Sequence, residues 1–323
     1  MSCWVARSKT LVRLTLVVLS LVLVFSLTTV AASKKRLSFG TGGTAGVWFP
    51  LGAGMADILN RKCEGVIVTA EVTSGSVENT RLVGEGTIPM GFANDDAAYF
   101  AYHGTGIFNK KLDVYSMFRV YPSCMQVVVL ESSGIKSIKD LKGKRVCVGS
   151  PASSAELMGW NILDAYGIKK SDIRPAVLSF AESADALKDG NIDATFIMTG
   201  APNSAVMDIM ASKQAKVLPI DQNIIEKLTK DYGYYSSWVI PAGTYKGQDA
   251  PVATIGLMTT LIANSKLDEE TAYNITKTIF ENLDEVRKIH SVMAGYTAEE
   301  AVKVPIPMHP GAKRYFKEKG LVK

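Results

Sequence analysis

Residues 37–52 read Leu37-Ser38-Phe39-Gly40-Thr41-Gly42-Gly43-Thr44-Ala45-Gly46-Val47-Trp48-Phe49-Pro50-Leu51-Gly52. The apolar run 37–39 predicts a strand, the glycine-dense segment after it predicts a turn, and the apolar spacing in 55–59 predicts a helix. A strand that feeds a helix through such a turn leaves backbone N–H groups and the positive end of the helix dipole facing open space. The stretch therefore predicts a site for a small anion or a carboxylate.

Two other interpretations fit the same stretch. Gly40, Gly42 and Ala45 satisfy a loose dinucleotide-binding pattern, which would make the turn an NAD site. A tight turn that binds nothing is the third possibility. The stretch alone leaves all three open, so the remainder of the chain has to separate them.

The same order of strand, polar turn and helix returns twice before residue 104. The strand Val66–Val72 ends in the turn Thr73–Asn79, and the strand Met90–Ala93 ends at Asn94–Asp96 before a helix that closes at Gly104. A hydroxyl residue at such a helix start is often only an N-cap. Three junctions in a row nevertheless predict a parallel α/β sheet, whose ligands bind at the carboxyl ends of the strands.

A second set of strands and helices lies between two long apolar segments, Met125–Leu130 and Ala253–Ala263. Between them, one strand ends at Ser150–Glu156 and another at Thr199–Pro202. A chain that crosses over and later returns predicts two lobes. The predicted lobes are residues 33–123 with 262–323 for lobe 1, and residues 124–261 for lobe 2.

Residues 1–32 have the features of a secretory signal peptide. Arg7, Lys9 and Arg13 precede the uncharged apolar run Leu14–Val30, and small residues lead to a cleavage position after Ala32. An uncleaved membrane anchor is the alternative, since a run of about 17 apolar residues is long enough to cross a bilayer. We expect an exported, periplasmic protein.

Export also changes the charge of the protein. The chain has 36 basic and 31 acidic residues, and loss of the three basic residues of the leader lowers the formal net charge from +5 to +2. So mild a charge, with no basic run beyond residues 34–36, predicts that the protein binds neither nucleic acid nor a membrane surface.

The reactive residue types are sparse and scattered. The three cysteines after the leader form no disulfide pattern, and the three histidines have no carboxylate or cysteine at ligand spacing. The sequence contains neither a nucleophile elbow nor a phosphate-binding loop. We expect a binding protein without cofactor or metal ion, not an enzyme, and we expect the cysteines to be buried as small apolar side chains. These residues are Cys63, Cys124, Cys147, His103, His290 and His309.

Motifs along almost the whole chain after the leader resemble the TAXI family, the solute-binding proteins of TRAP transporters. Residues 40–52 resemble the opening motif of that family, and residues 73–79 resemble its second turn. Trp48 departs from the tyrosine that is common there. Further matches follow in the expected order at residues 98–106, 133–146, 187–194, 240–245 and 309–312.

This resemblance implies a type II periplasmic-binding-protein fold, an α/β fold with two lobes joined by hinge strands. The lobes would close over a small anionic solute such as glutamate, glutamine or 2-oxoglutarate, and the monomeric protein would deliver it to the membrane permease subunits of a TRAP transporter. The two long apolar segments would be the hinge strands. An exported chain rarely meets NAD, so the dinucleotide alternative falls away. A periplasmic enzyme and a ligand-sensing module on the same scaffold remain as rivals.

The residues expected to bind the solute come from the turns described above. Asp95 and Asp96 are expected at the rim of the cleft, where Asp96 would pair with the ammonium group of an amino acid. The alternative is that Asp96 only caps the helix that follows it. The full set of expected ligand-binding residues is Thr41, Gly42, Gly43, Thr44, Trp48, Thr73, Gly75, Ser76, Asn79, Asp96, Tyr121, Ser150, Ser153, Ser154, Thr199 and Gly200.

Overall fold

A ten-stranded sheet runs through residues 34–323, the part of the chain that the computed structural model describes. The predicted leader, residues 1–32, lies outside the described residues. The strands are β1 (Lys35–Gly40), β2 (Val66–Glu71), β3 (Met90–Asn94), β4 (Tyr115–Leu130), β5 (Arg145–Cys147), β6 (Arg174–Ala176), β7 (Ala194–Thr199), β8 (Ala215–Leu218), β9 (Ser236–Ile240) and β10 (Val252–Ala263). Eight of them follow the order β2-β1-β3-β10-β4-β7-β5-β6, while β8 pairs with β4 and β9 with β10.

Helices follow most of the strands and cover the sheet. They are α1 (Trp48–Lys62), α2 (Ser76–Gly84), α3 (Asp95–His103), α4 (Ser154–Ala165), α5 (Phe180–Lys188), α6 (Ser204–Ser212), α7 (Gln222–Asp231), α8 (Glu269–Glu281), α9 (Leu283–Ile289), α10 (Ala298–Ala301) and α11 (Pro310–Glu318). Strand β1 is parallel to β2 and β3, and β5 is parallel to β6 and β7. The predicted α/β fold with parallel strand-to-helix junctions is therefore confirmed.

Strands β4 and β10 form a long antiparallel pair at the centre of the sheet. They contain the two apolar segments 125–130 and 253–263, but β4 begins ten residues earlier than the sequence predicts, at Tyr115. Pro122 lies inside this strand opposite Met258, next to a register shift in β10. Because the strand pairing is irregular here, the backbone N–H that Pro122 lacks is not needed. The apolar pattern of the sequence therefore predicts a shorter β4 than the structure contains.

The central strands approach each other closely. A Cβ atom on Gly256 would lie 2.7 Å from the backbone oxygen of Ser123, so this position in β10 admits only glycine without movement of the strands. The pair thereby forms a continuous support between the parallel strands β1–β3 on one side and β5–β7 on the other.

The largest buried apolar cluster joins the two ends of the described chain. Phe39 and Phe92 of the parallel strands pack in one cluster with Phe118 of β4 and with Phe280 and Phe316 of the C-terminal helices. A second cluster packs α4 and α7 against β4 and β7, and it contains Met158 and Phe196. Residues Lys35–Lys323 form one compact unit, and the lobe boundaries and the hinge role of β4 and β10 stay predictions.

Every helix within residues 34–323 is too short or too polar to cross a bilayer.

Candidate ligand-binding site

Turns from distant parts of the chain meet at a small cavity, which we call the inner pocket. It is lined by residues of the β1–α1 turn (42–48), the β2–α2 turn (74–76), the last residue of β3, the start of α4 (153–155) and the end of β7. Its volume is about 40 Å³. The pocket lies at the carboxyl ends of parallel strands, which is where open α/β sheets bind their ligands.

The structure brings half of the predicted site residues together in this pocket. They lie in a glycine-rich turn, at the start of a helix or, for Thr199, at the end of β7, so each presents a backbone amide, a hydroxyl or an aromatic face. They are Gly42, Gly43, Trp48, Gly75, Ser76, Ser153, Ser154 and Thr199.

A wider cavity adjoins the inner pocket and shares Gly43, Ser74 and Phe180 with it. This outer pocket has a volume of about 530 Å³ and opens towards solvent. Its walls include exposed Val72 and half-exposed Val177 beside the carboxylates of two glutamates. Three more predicted residues line the outer pocket, and these are Thr44, Thr73 and Ser150.

Five predicted residues line neither pocket, and three of them support the pocket from beneath. Asn79 donates from Nδ2 to the backbone oxygens of Thr41 (2.6 Å) and Phe92 (2.8 Å), which fixes the β1–α1 turn against β3. Thr41 donates from Oγ1 to the backbone oxygen of Glu71 at 2.6 Å. A Cβ on Gly200 would lie 3.0 Å from the ring of Tyr121, so this glycine serves packing. The last two residues are Tyr121 and Asp96.

The Trp48 side chain is held in place by a buried polar group under the inner pocket. Its Nε1 donates to Thr259 Oγ1 at 3.1 Å, and that hydroxyl lies 3.1 Å from Ser123 Oγ. The Tyr121 hydroxyl is buried below the pocket without a hydrogen-bond partner among residues 34–323, and burial raises the pKa of Tyr121. Trp48 therefore forms a fixed wall, whereas Tyr121 lines neither pocket.

Three helix starts face the inner pocket. The N-cap residues of α1 and α2, Val47 and Gly75, offer no side-chain oxygen to the first amides of their helices. Gly75 has φ 123°, a conformation that favours glycine. At α4, Ser153 Oγ accepts from Glu156 N at 3.2 Å and leaves the preceding amides to the pocket. Because no lysine or arginine lines either pocket within the described residues, the positive potential comes from the helix ends.

The two aspartates at the start of α3 are buried, so their expected position at a solvent-facing rim is wrong. Asp95 pairs with Arg119 of β4 and accepts from Thr260 Oγ1 at 2.8 Å. Asp96 Oδ1 accepts from Ser154 Oγ at 2.6 Å. Burial raises the pKa of Asp96 to about 6. Asp96 Oδ1 also accepts from Ala97 N at 2.6 Å, so within the described residues it binds both α4 and the start of its own helix; its role towards a ligand ammonium group stays a prediction.

The pocket also contains residues that the sequence did not single out. Ser74 and Gly46 belong to turns that were recognised, and Asn94 ends a strand that was recognised, so position alone could have found them. Phe180 gave no signal, because it begins α5 more than 130 residues after the first turn and reaches the pocket only by packing. Ala155 and Met198 complete the lining.

The cysteines and histidines line neither pocket. Cys63, Cys124 and Cys147 are free and buried, which confirms their expected burial. His309 Nδ1 accepts from Gly311 N at 3.3 Å and so caps α11. Among residues 34–323, no group of histidine, cysteine, aspartate and glutamate side chains has the arrangement of a metal site.

Known solved structures share the fold. PhnD1 from Prochlorococcus marinus, solved in complex with methylphosphonate, superimposes with a TM-score of 0.56 at 13% identity, over 89% of this chain and 99% of that one. A binding protein component of an ABC phosphonate transporter from Pseudomonas aeruginosa gives a TM-score of 0.51 at 12% identity, over 81% of this chain and 80% of that one. The fold is that of periplasmic binding proteins.

Comparisons of sequence correct the expected family. A putative aliphatic sulfonates-binding protein of Escherichia coli K12 is 31% identical over 148 residues, which are 46% of this chain and 37% of the length of that relative. The model of the NMT1-like family matches residues 39–320. The TAXI resemblance, and with it the TRAP permease and the dicarboxylate solute, is therefore wrong. The chain belongs to the NMT1-like family.

Proposed function

We propose that this chain is the solute-binding protein of a membrane transporter of the ABC type, and that its inner pocket takes the oxyanion headgroup of a small sulfonate or phosphonate. The observation that carries this proposal is the convergence of three helix starts, those of α1, α2 and α4, on a pocket to which residues 34–323 contribute no cationic side chain. Helix N-termini bind anions through their free amides and their dipole.

The size of the inner pocket suits a small headgroup, with the remainder of the solute in the outer pocket. A volume of about 40 Å³ corresponds to roughly three water-sized spheres. Three oxygen atoms on one sulfur or phosphorus atom suit such a space, and they accept hydrogen bonds from the helix-start amides and from the hydroxyl of Ser76, which itself accepts from Asn94 N. The curated relative named for aliphatic sulfonates supports the same class of ligand.

The outer pocket suits an uncharged organic tail. Val72, Val177 and Phe180 supply apolar surface there, while Glu78 and Glu182 place negative charge at its walls. A second anionic group on the ligand would meet these glutamates, so they disfavour a dicarboxylate. A monoanion with a short aliphatic tail satisfies both pockets.

Capture and delivery of the solute, without chemical change, is the activity that follows. Among the described residues around the pocket, Ser154 donates to Asp96, but no histidine accompanies this pair as a general base. The expected leader and the periplasmic proteins that share the fold support a periplasmic location. An enzyme on the same scaffold is the rival that the experiment below excludes or supports.

Isothermal titration calorimetry of the purified protein tests the proposal. The panel is methane-, ethane- and hexanesulfonate, methylphosphonate, sulfate and glutamate. We expect micromolar or tighter binding of an alkanesulfonate or of methylphosphonate, weaker binding of glutamate, and recovery of the ligand unchanged by NMR. Absence of sulfonate and phosphonate binding, tighter binding of glutamate, or conversion of the ligand would contradict the proposal.

A further inference from the structure

Asp96 opposes anion binding by its position. Its side chain is only 1% exposed, and its Oδ1 atom accepts a hydrogen bond from Ser154 Oγ at 2.6 Å. Ser154 itself lines the inner pocket. A negative charge at Asp96 therefore lies one hydrogen bond away from the space that the proposed anion would fill.

The described groups that surround Asp96 provide no opposite charge. On its own helix the neighbour is Asp95, whose charge is paired with Arg119. From α4 the facing group is the Ser154 hydroxyl, and from the segment before β9 the titratable groups are Tyr234 and Tyr235. Among residues 34–323, no lysine, arginine or histidine forms an ion pair with Asp96. A buried carboxylate without a cation is costly, and protonation relieves that cost.

We propose that Asp96 couples the inner pocket to the pH of its surroundings, so that binding of an anion there is accompanied by uptake of a proton by the Asp96 carboxylate. This inference rests on the proposed function, because it needs an anion in the pocket. Burial already raises the pKa of Asp96 to about 6. A second negative charge nearby raises the pKa further, since it disfavours the charged form.

Protonation of Asp96 also allows the Ser154 hydroxyl to donate a hydrogen bond to the ligand. A carboxylate only accepts hydrogen bonds, so the Ser154 hydroxyl must donate its hydrogen to Asp96 Oδ1. A protonated Asp96 has an O–H of its own, which donates to Ser154 Oγ. The hydrogen of Ser154 then turns into the pocket and donates to an oxygen of the anion. The proton comes from solvent, and the O–H bond of the Asp96 carboxyl group is the one covalent bond that forms.

The direction of the effect follows from linkage. A proton taken up on binding makes the affinity highest at low pH, and the affinity falls as pH rises above the pKa of Asp96 in the free protein. If the anion raises that pKa by one unit, the affinity falls about sevenfold between pH 5.5 and pH 8. An alkanesulfonate is the right probe, because it stays a monoanion over this range and contributes no titration of its own.

Calorimetry with the tightest alkanesulfonate of the panel tests the coupling in the wild-type protein. The titration is run at pH 5.5 and at pH 8, and at pH 7 in two buffers with different heats of ionisation. We expect weaker binding at pH 8 and a difference between the buffers that corresponds to proton uptake. Equal affinity at both values of pH, with no uptake, would overturn the coupling and leave the proposed function intact. No binding at either pH would overturn the proposed function as well.

Two substitutions test whether Asp96 is the group that takes up the proton when the anion binds. Asp96→Asn removes the charge and the titratable group and keeps an amide oxygen to accept from Ala97 N, as Asp96 Oδ1 does at 2.6 Å; we expect affinity at pH 8 close to that of the wild type at pH 5.5, and no pH dependence. Asp95→Asn is the matched control, because Asp95 is already paired with Arg119, and we expect it to retain the pH dependence. Loss of the dependence in Asp95→Asn, or its persistence in Asp96→Asn, would place the proton elsewhere and overturn the inference.

Discussion

The two sides of the first turn of α3 present the same kind of side chain to very different surroundings. On the side of the sheet, Asp95 faces β4 and β10, where Arg119 and Thr260 bind both of its oxygens. On the side of the pocket, Asp96 faces α4 and has the Ser154 hydroxyl as its partner. Burial alone therefore does not determine what a carboxyl group does. The partner decides whether the group fixes the fold or responds to pH and ligand.

Removal of Arg119 is expected to have the largest effect on the sheet side. Arg119→Met leaves the buried Asp95 carboxylate without its cation, and breaking such a pair costs about 3–5 kcal/mol of the free energy of unfolding. Urea unfolding at pH 8 measures this loss. The double variant Asp95→Asn/Arg119→Met should recover a large part of it, because it removes the unpaired charge. A loss below about 1 kcal/mol, typical of an exposed pair, would show that the sheet side does not depend on this contact.

Removal of the Asp96 charge should raise the stability of the protein at pH 8, whereas removal of Arg119 lowers it. Its pKa of about 6 in the folded protein lies above the ordinary value of 3.8, so the folded state binds this proton more tightly than the unfolded chain does. The stability from this group is therefore present at acid pH and is lost as pH rises through about 6, by up to about 3 kcal/mol. Asp96→Asn should be more stable than the wild type at pH 8 and equally stable at pH 4, in urea unfolding at both pH values. A less stable variant at pH 8 would show that the charged form stabilises the fold.

The N-cap of α4 offers a smaller test of the pocket side. Ser153→Ala removes the acceptor of the Glu156 amide, and loss of an N-cap costs about 1 kcal/mol. Because this helix start faces the inner pocket, we also expect weaker binding of the sulfonate by calorimetry. Thr297→Ala is the matched control, since Thr297 caps α10 away from both pockets. It should lose stability and keep full affinity; weaker binding in both variants would assign the effect to stability alone.

Closure of the protein around the ligand should give the smallest signal. The Asp96–Ser154 hydrogen bond and the contact of Glu78 N with the oxygen of Ala152 (3.3 Å) connect segments that flank the pocket. If β4 and β10 act as hinge strands, a saturating sulfonate should lower the radius of gyration by about 1 Å in solution scattering. Asp96→Asn should show the same decrease at pH 8. An unchanged scattering profile would count against a hinge.

Several elements of the fold could be predicted because their signals are local. Apolar periods of two and of about 3.6 identified the strands and helices around residues 35–104, and glycine and hydroxyl residues marked the turns between them. Half of the predicted site residues line the inner pocket for the same reason. The length of β4 was underestimated, since the strand continues through Pro122 and tolerance of a proline depends on the neighbouring strand.

The predicted ligand class, a dicarboxylate, was wrong for a physical reason. Carboxylates, sulfonates and phosphonates are all satisfied by free amides at helix starts, so the turns predict an anion and do not distinguish its headgroup. The headgroup depends on the volume of the inner pocket and on the charges around the outer one. Those properties involve Glu78 of α2 and Phe180 and Glu182 of α5, two helices that are far apart in the sequence.

The sequence by itself therefore determined the order of strands, turns and helices and the presence of several helix starts able to hold an anion, because both depend on residues that are close along the chain. Only the tertiary structure decided that Asp95 pairs with Arg119 while Asp96, one residue later, meets Ser154 across 58 positions of sequence. Successive residues at a helix start point in different directions, and what each one meets is set by the packing of α3 against the sheet and against α4.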